Sequence, residues 1–232
     1  MFINGFDILW DEIDDYVADI KSLRSIDQFT FNKPVTFFCG ENGSGKSTLL
    51  EALAIKNGLN PEGGTRNYNF STYDSYSNLH KHMRLWRSRK PDWMYFLRAE
   101  SFYNVATKEM EYSGVFSERY HDQSHGQSFF SVLMKQTNKN GLYLLDEPEA
   151  ALSCQNQLAL LYLIQSCVKQ NCQFIIATHS PILLGFPNAQ ILSFDEDKVE
   201  EVDYKSTSSY QTMKLFLDRY DYFVEDIKEN EI

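Results

Sequence analysis

The residues with the clearest capacity for chemistry lie between Gly40 and Thr48, where the sequence GENGSGKST fits the pattern G-x-x-x-x-G-K-[ST]. Glycines let such a loop curl so that successive backbone N–H groups point at phosphate oxygens. Lys46 adds a positive charge for the β- and γ-phosphates, and the Ser47 hydroxyl is a ligand for Mg²⁺. A glycine-rich turn without a ligand is the alternative. We predict that the following residues bind a nucleoside triphosphate: Gly40, Glu41, Asn42, Gly43, Ser44, Gly45, Lys46, Ser47 and Thr48.

Two carboxylates, Asp146 and Glu147, directly follow the apolar residues 142–145. At the carboxyl end of a buried strand, Asp146 would hold Mg²⁺ through water. Glu147 would be the base that polarises the attacking water. The pattern therefore predicts a magnesium-dependent hydrolytic site, and the alternative is a strand that ends in an acidic turn.

The elements that must position these residues alternate between strands and helices. Strands are predicted over residues 35–38, 92–98, 141–146 and 173–178, and helices over 46–56, 126–135 and 153–170, the last capped by Ser153. Short, continuous apolar strands that alternate with helices indicate a mostly parallel sheet covered on both faces. The fold class is therefore α/β.

Several further elements are predicted from local patterns. Residues 28–31 and 35–38 are predicted to form a hairpin through Asn32-Lys33-Pro34, and residues 191–194 and 199–204 a closing hairpin. Residues 206–220 are predicted to form a C-terminal helix, and residues 57–77 a loop or small irregular lobe. Residues 80–90 are basic and are predicted to be helical. One interpretation is a docking patch for nucleic acid or for an acidic partner. The alternative is a solvated face, and the acidic net charge of the chain favours this alternative.

Composition limits the classes of partner. The 232 residues include 22 Lys and Arg against 32 Asp and Glu, a net charge of −10, which repels nucleic acid and anionic membranes as a whole. The four cysteines lack metal-binding spacing and are expected to be buried thiols. The acidic N-terminus does not resemble a signal peptide, and no apolar run approaches about 20 residues. We expect a soluble, cytoplasmic protein with no membrane partner.

Three motifs resemble those of ABC-type ATPases. Residues 146–153, DEPEAALS, resemble the Walker B motif and D-loop, and residues 175–181, IIATHSP, resemble the H-loop. The resemblance implies that His179 contacts the γ-phosphate. Residues 123–128, QSHGQS, resemble the family's signature and keep Ser124, Gly126 and Gln127, with His125 in place of the first glycine. Because the signature closes over the ATP of a partner subunit in this family, the resemblance implies a homodimer with two sandwiched ATP molecules.

Within this family, the chain most resembles small stand-alone bacterial ABC/AAA-type predicted ATPases. The segments that carry this resemblance are residues 35–54, 96–107, 124–129, 144–153 and 173–184. It implies a P-loop NTPase fold with an antiparallel β segment and a reduced helical lobe, as a single domain over residues 1–232. An N-terminal β segment and P-loop occupy 1–56, the reduced lobe 57–123, and the signature, Walker B, H-loop and C-terminal helix 124–232.

For two elements of the family, this sequence does not decide which residue takes the role. No glutamine follows the strand at 92–98, so Glu100 could replace the Q-loop glutamine at the metal, or Arg98 could contact phosphate; either residue could equally be structural. The aromatic side chain that stacks on adenine is either Tyr16 or Trp10.

The resemblance implies an ATPase that uses ATP and Mg²⁺, with Glu147, His179 and Lys46 as catalytic residues. Hydrolysis would drive a conformational switch in an unknown protein partner, with DNA repair and phage defence among the settings. The alternative is a nucleotide-gated interaction module with slow hydrolysis. A transporter subunit is disfavoured because only 23 residues separate Glu100 from Ser124, fewer than a coupling subdomain needs.

Overall fold

The computed structural model describes residues 1–65, 76–98 and 140–229. Within these ranges the strands are β1 (Ile3–Ile8), β2 (Gln28–Thr30), β3 (Val35–Cys39), β4 (Met83–Arg87), β5 (Trp93–Arg98), β6 (Gly141–Asp146), β7 (Gln173–Ala177), β8 (Gln190–Ser193) and β9 (Glu200–Glu201). The α-helices are α1 (Lys21–Arg24), α2 (Lys46–Lys56), α3 (Cys154–Val168), α4 (Pro181–Leu184), α5 (Ser208–Asp218) and α6 (Tyr220–Glu229). Of the reduced lobe expected over residues 57–123, residues 66–75 and 99–123 lie outside the described residues.

A six-stranded sheet in the order β5-β6-β7-β3-β8-β9 forms the centre of the structure. Its first five strands are parallel, and β9 adds an antiparallel edge. The strands consist of consecutive buried apolar residues because both faces are covered. This arrangement confirms the predicted α/β fold with a mostly parallel sheet. In such a sheet the carboxyl ends of the strands share one edge, where ligands bind.

A second, antiparallel sheet contains β2, β1 and β4 in that order. The predicted hairpin over residues 28–38 is therefore wrong, because β2 pairs with β1 and β3 belongs to the other sheet. The intervening residues carry the chain between the layers: the Phe31 N–H bonds to the Asn4 carbonyl, and the Pro34 carbonyl accepts from the Phe174 N–H. Two adjacent strand-forming segments need not pair when each has a better partner elsewhere in the chain.

The predicted helix over residues 80–90 is also wrong. A short 3₁₀ turn, Asn78–Lys81, leads into strand β4, which pairs with β1 and places Leu85 opposite Phe6. Burial of Met83 and partial burial of Leu85 against this sheet outweigh the helical tendency of the surrounding Lys and Arg residues.

Two apolar layers enclose the central sheet. On one face α2 packs against β6, β7 and β4, and its Leu49, Leu50 and Leu53 are buried. On the other face α3 buries Leu160 and Ile164. The two layers fix the sheet from both sides and hold its carboxyl edge in place.

A buried polar side chain connects the two sheets. Gln173, at the start of β7, is fully buried, and its Oε1 accepts hydrogen bonds from the backbone N–H groups of Phe2 and Ile3 at 2.7 and 3.0 Å. Its Nε2 donates to the Ile3 carbonyl at 2.8 Å. Because every polar atom of the amide has a partner, its burial is compatible with a stable core.

The C-terminal part of the chain follows the prediction with one addition. Strands β8 and β9 form the closing hairpin, and α5 occupies most of the predicted helix. Helix α6 was not predicted; neither α5 nor α6 has a buried residue. The rings of Phe216 and Phe223 lie 5.8 Å apart across the junction between them. Among the helices of the described ranges, none has the length and hydropathy of a membrane span.

The cysteines largely follow the expectation. All four are free thiols, and Cys39, Cys167 and Cys172 are buried. Cys154 is exposed, so the expectation of a buried thiol is wrong at this position. It is the first residue of α3 and lies outside the apolar face of that helix.

Candidate nucleotide-binding site

The P-loop connects the carboxyl end of β3 to the amino end of α2, as the pattern predicts. Gly45 caps the helix with φ +91°, and a Cβ atom there would lie 2.7 Å from Leu23 Cγ. Gly40 has φ +136°, and a Cβ atom there would lie 3.1 Å from the backbone N of Asp195. Both positions therefore require glycine, for conformation and for space.

Lys46 projects its ammonium group into the P-loop. The side chain is almost fully buried, and Nζ donates to the carbonyls of Gly40 and Glu41 at 2.8 and 2.7 Å. Burial lowers the pKa of Lys46, and the negative charges of Glu147, Asp195 and Asp146 oppose that change. The loop therefore places a compact positive charge beside the N-terminus of α2, where the helix dipole also attracts anions.

Two further groups, not predicted from the sequence, hold the P-loop. The Ser22 hydroxyl, in α1, donates to the Ser44 carbonyl at 2.5 Å. The Asp195 carboxylate, after β8, accepts from the Glu41 N–H at 3.0 Å. Nothing in the local sequence marks Ser22, whereas the position of Asp195 at the carboxyl end of a parallel strand was a usable signal.

Asp195 also affects the thiol at the end of β3. Burial, together with the Asp195 charge, raises the pKa of Cys39 to about 12. The Cys39 thiol is therefore neutral at physiological pH and adds no negative charge to the phosphate site.

The predicted metal ligands Ser47 and Asp146 are adjacent. The Ser47 hydroxyl donates to Asp146 Oδ1 at 2.8 Å, and Asp146 is buried at the end of β6. A hydroxyl and a carboxylate oxygen suit Mg²⁺, which usually completes its coordination with phosphates and water. In the described part of the chain, no group of three or more His, Cys, Asp or Glu side chains forms a metal cluster. The pair thus fits a magnesium ion that is shared with a nucleotide.

The predicted base and switch histidine face each other. Glu147 Oε1 lies 3.7 Å from His179 Nε2, and their side chains are 41% and 38% exposed. Glu147 has the left-handed conformation, φ 48° and ψ 50°, and its N–H donates to the Ala177 carbonyl at 2.9 Å. A non-glycine residue in this region is strained, and such strain is concentrated at functional sites. Both side chains are partly exposed to solvent, and within the His179 ring the Nε2 atom is buried.

Arg98 joins the site through two carboxylates. Its Nη1 donates to Glu51 Oε2 at 2.7 Å, and its Nε lies 3.7 Å from Asp146 Oδ2. Burial raises the pKa of Glu51, and the Arg98 charge opposes this rise. The sequence left the role of Arg98 open; the structure places it in an ion-pair network beside the predicted metal ligand Asp146. Glu51, on α2, was not predicted at all.

Other predicted residues lie away from this cluster of side chains or outside the described residues. Trp10 is buried and its indole N–H donates to the Ile26 carbonyl at 2.8 Å, so it belongs to the core. Tyr16 is 54% exposed in the turn that precedes α1, so it is the accessible one of the two aromatic candidates. The predicted signature and Q-loop residues Ser124, His125, Gly126, Gln127 and Glu100 lie outside the described residues.

Comparisons with known proteins agree with these motifs. A family model described as an AAA domain matches residues 17–84, and one described as an AAA ATPase domain matches residues 125–184. The chain is 27% identical over 203 residues to an uncharacterized ABC transporter ATP-binding protein of Haemophilus influenzae, covering 76% of each chain. It is 30% identical over 171 residues to the cytochrome c biogenesis ATP-binding export protein CcmA of Rhizobium etli, covering 66% of this chain and 78% of that protein.

A solved structure, cbiO1 from Clostridium perfringens, part of an ABC transporter complex, aligns with a TM-score of 0.45 and 17% identity. The alignment covers 97% of this chain and 100% of that chain.

Proposed function

Because the chain belongs to the ABC/AAA-type P-loop ATPases, which hydrolyse ATP, we propose that it converts ATP to ADP and phosphate at the carboxyl edge of the six-stranded sheet. One observation carries this proposal: three segments that are distant in sequence converge on that edge. They are the P-loop after β3, the Asp146-Glu147 pair after β6 and His179 after β7.

The P-loop would bind the triphosphate. Lys46 and the backbone N–H groups of residues 40–48 would contact the β- and γ-phosphates, and the buried position of Lys46 strengthens this attraction. Ser47 and Asp146 would hold magnesium, which when bound offsets the negative charge of the phosphates. Positioning and charge neutralisation of this kind account for most of the catalysis in phosphoryl transfer.

Glu147 and His179 would act on the attacking water and the γ-phosphate. The Glu147 carboxylate would orient the water and accept its proton, while the imidazole of His179 would donate to a γ-phosphate oxygen. The 3.7 Å separation between Glu147 Oε1 and His179 Nε2 places the two groups within reach of a common ligand. Tyr16 would stack on the adenine ring.

We further propose that the active form is a homodimer with ATP held between the two copies. Its support is the resemblance of Ser124, Gly126 and Gln127 to a signature that acts across a dimer, together with the accessibility of Glu147 and His179. Lys46 of each P-loop would then face the signature of the second copy, with one nucleotide between them.

Hydrolysis is tested by comparing steady-state ATP turnover of the wild-type chain and Glu147→Gln. We expect turnover to fall at least about 100-fold in Glu147→Gln, because the variant keeps the shape of the side chain and loses the base. The control Glu200→Gln, on the exposed edge strand β9, should behave like the wild-type protein. Unchanged turnover in Glu147→Gln would remove Glu147 as the base.

The dimer is tested by size-exclusion chromatography with light scattering on Glu147→Gln, which should retain bound ATP. We expect addition of MgATP to convert the monomer to a dimer, and addition of ADP to leave a monomer. A Glu147→Gln protein that binds ATP and remains monomeric contradicts the sandwich.

The ATP cycle would drive a conformational switch in a protein partner, and capture of proteins or nucleic acids by the ATP-bound Glu147→Gln variant would identify it. Co-purification with a membrane subunit would instead support a transporter role like that named for the two sequence relatives.

A further inference from the structure

A carboxylate outside the predicted catalytic set connects the two catalytic segments. Glu149 lies in the 3₁₀ turn Pro148–Ala151, and its Oε1 accepts a hydrogen bond from the backbone N–H of His179 at 2.6 Å. A second link is the hydrogen bond from the Glu147 N–H to the Ala177 carbonyl. The turn after β6 and the segment after β7 are therefore joined by a backbone bond and by hydrogen bonds of the Glu149 side chain to the backbone of His179 and the side chain of Thr178.

The carboxyl group of Glu149 is largely shielded from solvent. Its Oε2 is buried and has no hydrogen-bond partner among the described residues. Burial raises the pKa of Glu149, hydrogen bonds from its own backbone N–H, from the His179 N–H and from the Thr178 side chain lower it, and the negative charge of Glu147 raises it. A buried carboxyl group is costly unless it is hydrogen-bonded, so the contact with His179 compensates part of that cost.

The ring of His179 depends on its backbone for orientation. Nε2 is buried and lacks a hydrogen-bond partner in the parts of the chain that the structure describes. The nearby Glu147 Oε1, at 3.7 Å, is too distant for a hydrogen bond. The position of the imidazole is therefore set by where the chain turns after β7.

We propose that Glu149 is a positioning residue for hydrolysis, a role that rests on the ATPase mechanism proposed above. Its carboxylate fixes the backbone at His179 and thereby sets the placement of the imidazole relative to Glu147. Removing the acceptor breaks the side-chain link between the two segments and leaves the Glu147–Ala177 backbone bond in place. Because catalytic groups lose much of their effect when displaced by about 1 Å, a shift of the His179 ring reduces the rate of the chemical step.

The experiment compares Glu149→Leu, which removes the acceptor at similar size, with Glu149→Gln, which keeps an Oε1 acceptor. We expect kcat to fall about 10- to 100-fold in Glu149→Leu, with the KM for ATP within about twofold of wild type. Glu149→Gln should stay within about threefold of the wild-type kcat. The control is Glu12→Leu, which removes another glutamate that lies beside a histidine, His82 at 3.5 Å, and should leave both constants unchanged.

A double-mutant cycle separates positioning from a purely structural role. In a His179→Ala background, Glu149→Leu should change kcat by less than about twofold, because the group that Glu149 positions is gone. The NMR signal of the His179 ring, assigned by its loss in His179→Ala, should shift in Glu149→Leu and stay in place in Glu149→Gln. An equal loss of kcat in both backgrounds, or an unshifted ring signal, overturns the proposal.

The outcomes also distinguish this proposal from the ATPase mechanism itself. If Glu147→Gln lacks turnover while Glu149→Leu retains wild-type kcat, only the positioning role is wrong. If Glu147→Gln retains turnover, the proposed mechanism is wrong. Should Glu149→Leu fail to fold, a kcat of Glu149→Gln as low as that of His179→Ala overturns the positioning role.

Discussion

The ion pair between Arg98 and Glu51 leads to a prediction about stability that can be measured without nucleotide. Arg98 Nη1 lies 2.7 Å from Glu51 Oε2, and the side chains are 27% and 10% exposed. Replacement of Arg98 by Met keeps the length of the side chain and leaves the Glu51 carboxylate buried without this partner. We therefore expect Arg98→Met to destabilise the folded state.

The magnitude follows from burial and distance. Two unit charges about 4 Å apart attract by about 4 kcal/mol at an effective dielectric constant of about 20. Removing one member of a buried pair typically costs about 3–5 kcal/mol. Because Arg98 is partly exposed and solvent screens its charge, we expect about 2–3 kcal/mol. In the double variant Glu51→Gln/Arg98→Met no buried charge remains at this pair, so at least half of the loss should be recovered.

The pH dependence provides a second readout. Burial raises the pKa of Glu51 in the folded state, and Arg98 limits that rise. Without Arg98 the folded-state pKa rises further above the unfolded value, so the folded state binds the proton more tightly. The destabilisation of Arg98→Met should therefore be small below the unfolded pKa of about 4.3 and should grow as pH rises through the folded pKa.

The assay is urea unfolding of the wild type, both single variants and the double variant at pH 5 and pH 7.5, without nucleotide. The control Arg87→Met removes an exposed arginine that donates to the Lys56 carbonyl and should cost less than about 1 kcal/mol. The reasoning is refuted if the double variant is no more stable than Arg98→Met, or if the loss in Arg98→Met is independent of pH.

Two further predictions concern the P-loop. Gly45→Ala places a Cβ atom 2.7 Å from Leu23 Cγ at φ +91°, so both the melting temperature and ATP binding should fall sharply. At Gly43, with φ +78°, no heavy atom of the described residues lies within 4 Å of where a Cβ atom would be, so Gly43→Ala should cost only about 1 kcal/mol of backbone strain. Equal effects of the two variants in thermal melting would contradict the steric argument. Ser22→Ala loses the hydrogen bond to the Ser44 carbonyl and should weaken ATP binding about fivefold, equivalent to about 1 kcal/mol. If a nucleotide titration gives the same dissociation constant for Ser22→Ala and the wild type, the Ser22 hydrogen bond does not contribute to ATP binding.

Elements with strong local signals were predicted correctly. The buried strands β6 and β7 are short apolar runs, and α3 begins after Ser153, whose hydroxyl accepts from the Asn156 N–H at 3.3 Å. A cap and an apolar run act within a few residues of each other, so they are readable along the chain.

Elements that depend on distant partners were not predicted correctly from the sequence. Strand β4 forms because β1 presents a complementary edge, and β2 turns to the same strand instead of pairing with β3. Residue types near residue 85 or residue 30 do not report that pairing, because the partner strand lies elsewhere in the chain: Leu85 pairs with Phe6, 79 residues away, and Thr30 with Gly5, 25 residues away.

The candidate site divides in the same way. The spacing of residues along the chain predicted Lys46, Asp146, Glu147 and His179, because each belongs to a recognisable pattern at or after the carboxyl end of a strand. The structure brings these four residues to one edge because the strands that carry them are parallel and adjacent.

The supporting residues became visible only in the folded chain. Ser22 and Glu51 have ordinary surroundings in the sequence, whereas Glu149 lies within the motif of residues 146–153 and Asp195 follows a strand. The importance of all four lies in a partner that is distant along the chain or in another segment. Local sequence thus indicated the groups for which we propose catalytic roles. Tertiary packing alone determined what holds them in place, because burial and hydrogen bonding between remote segments arise only when the layers assemble.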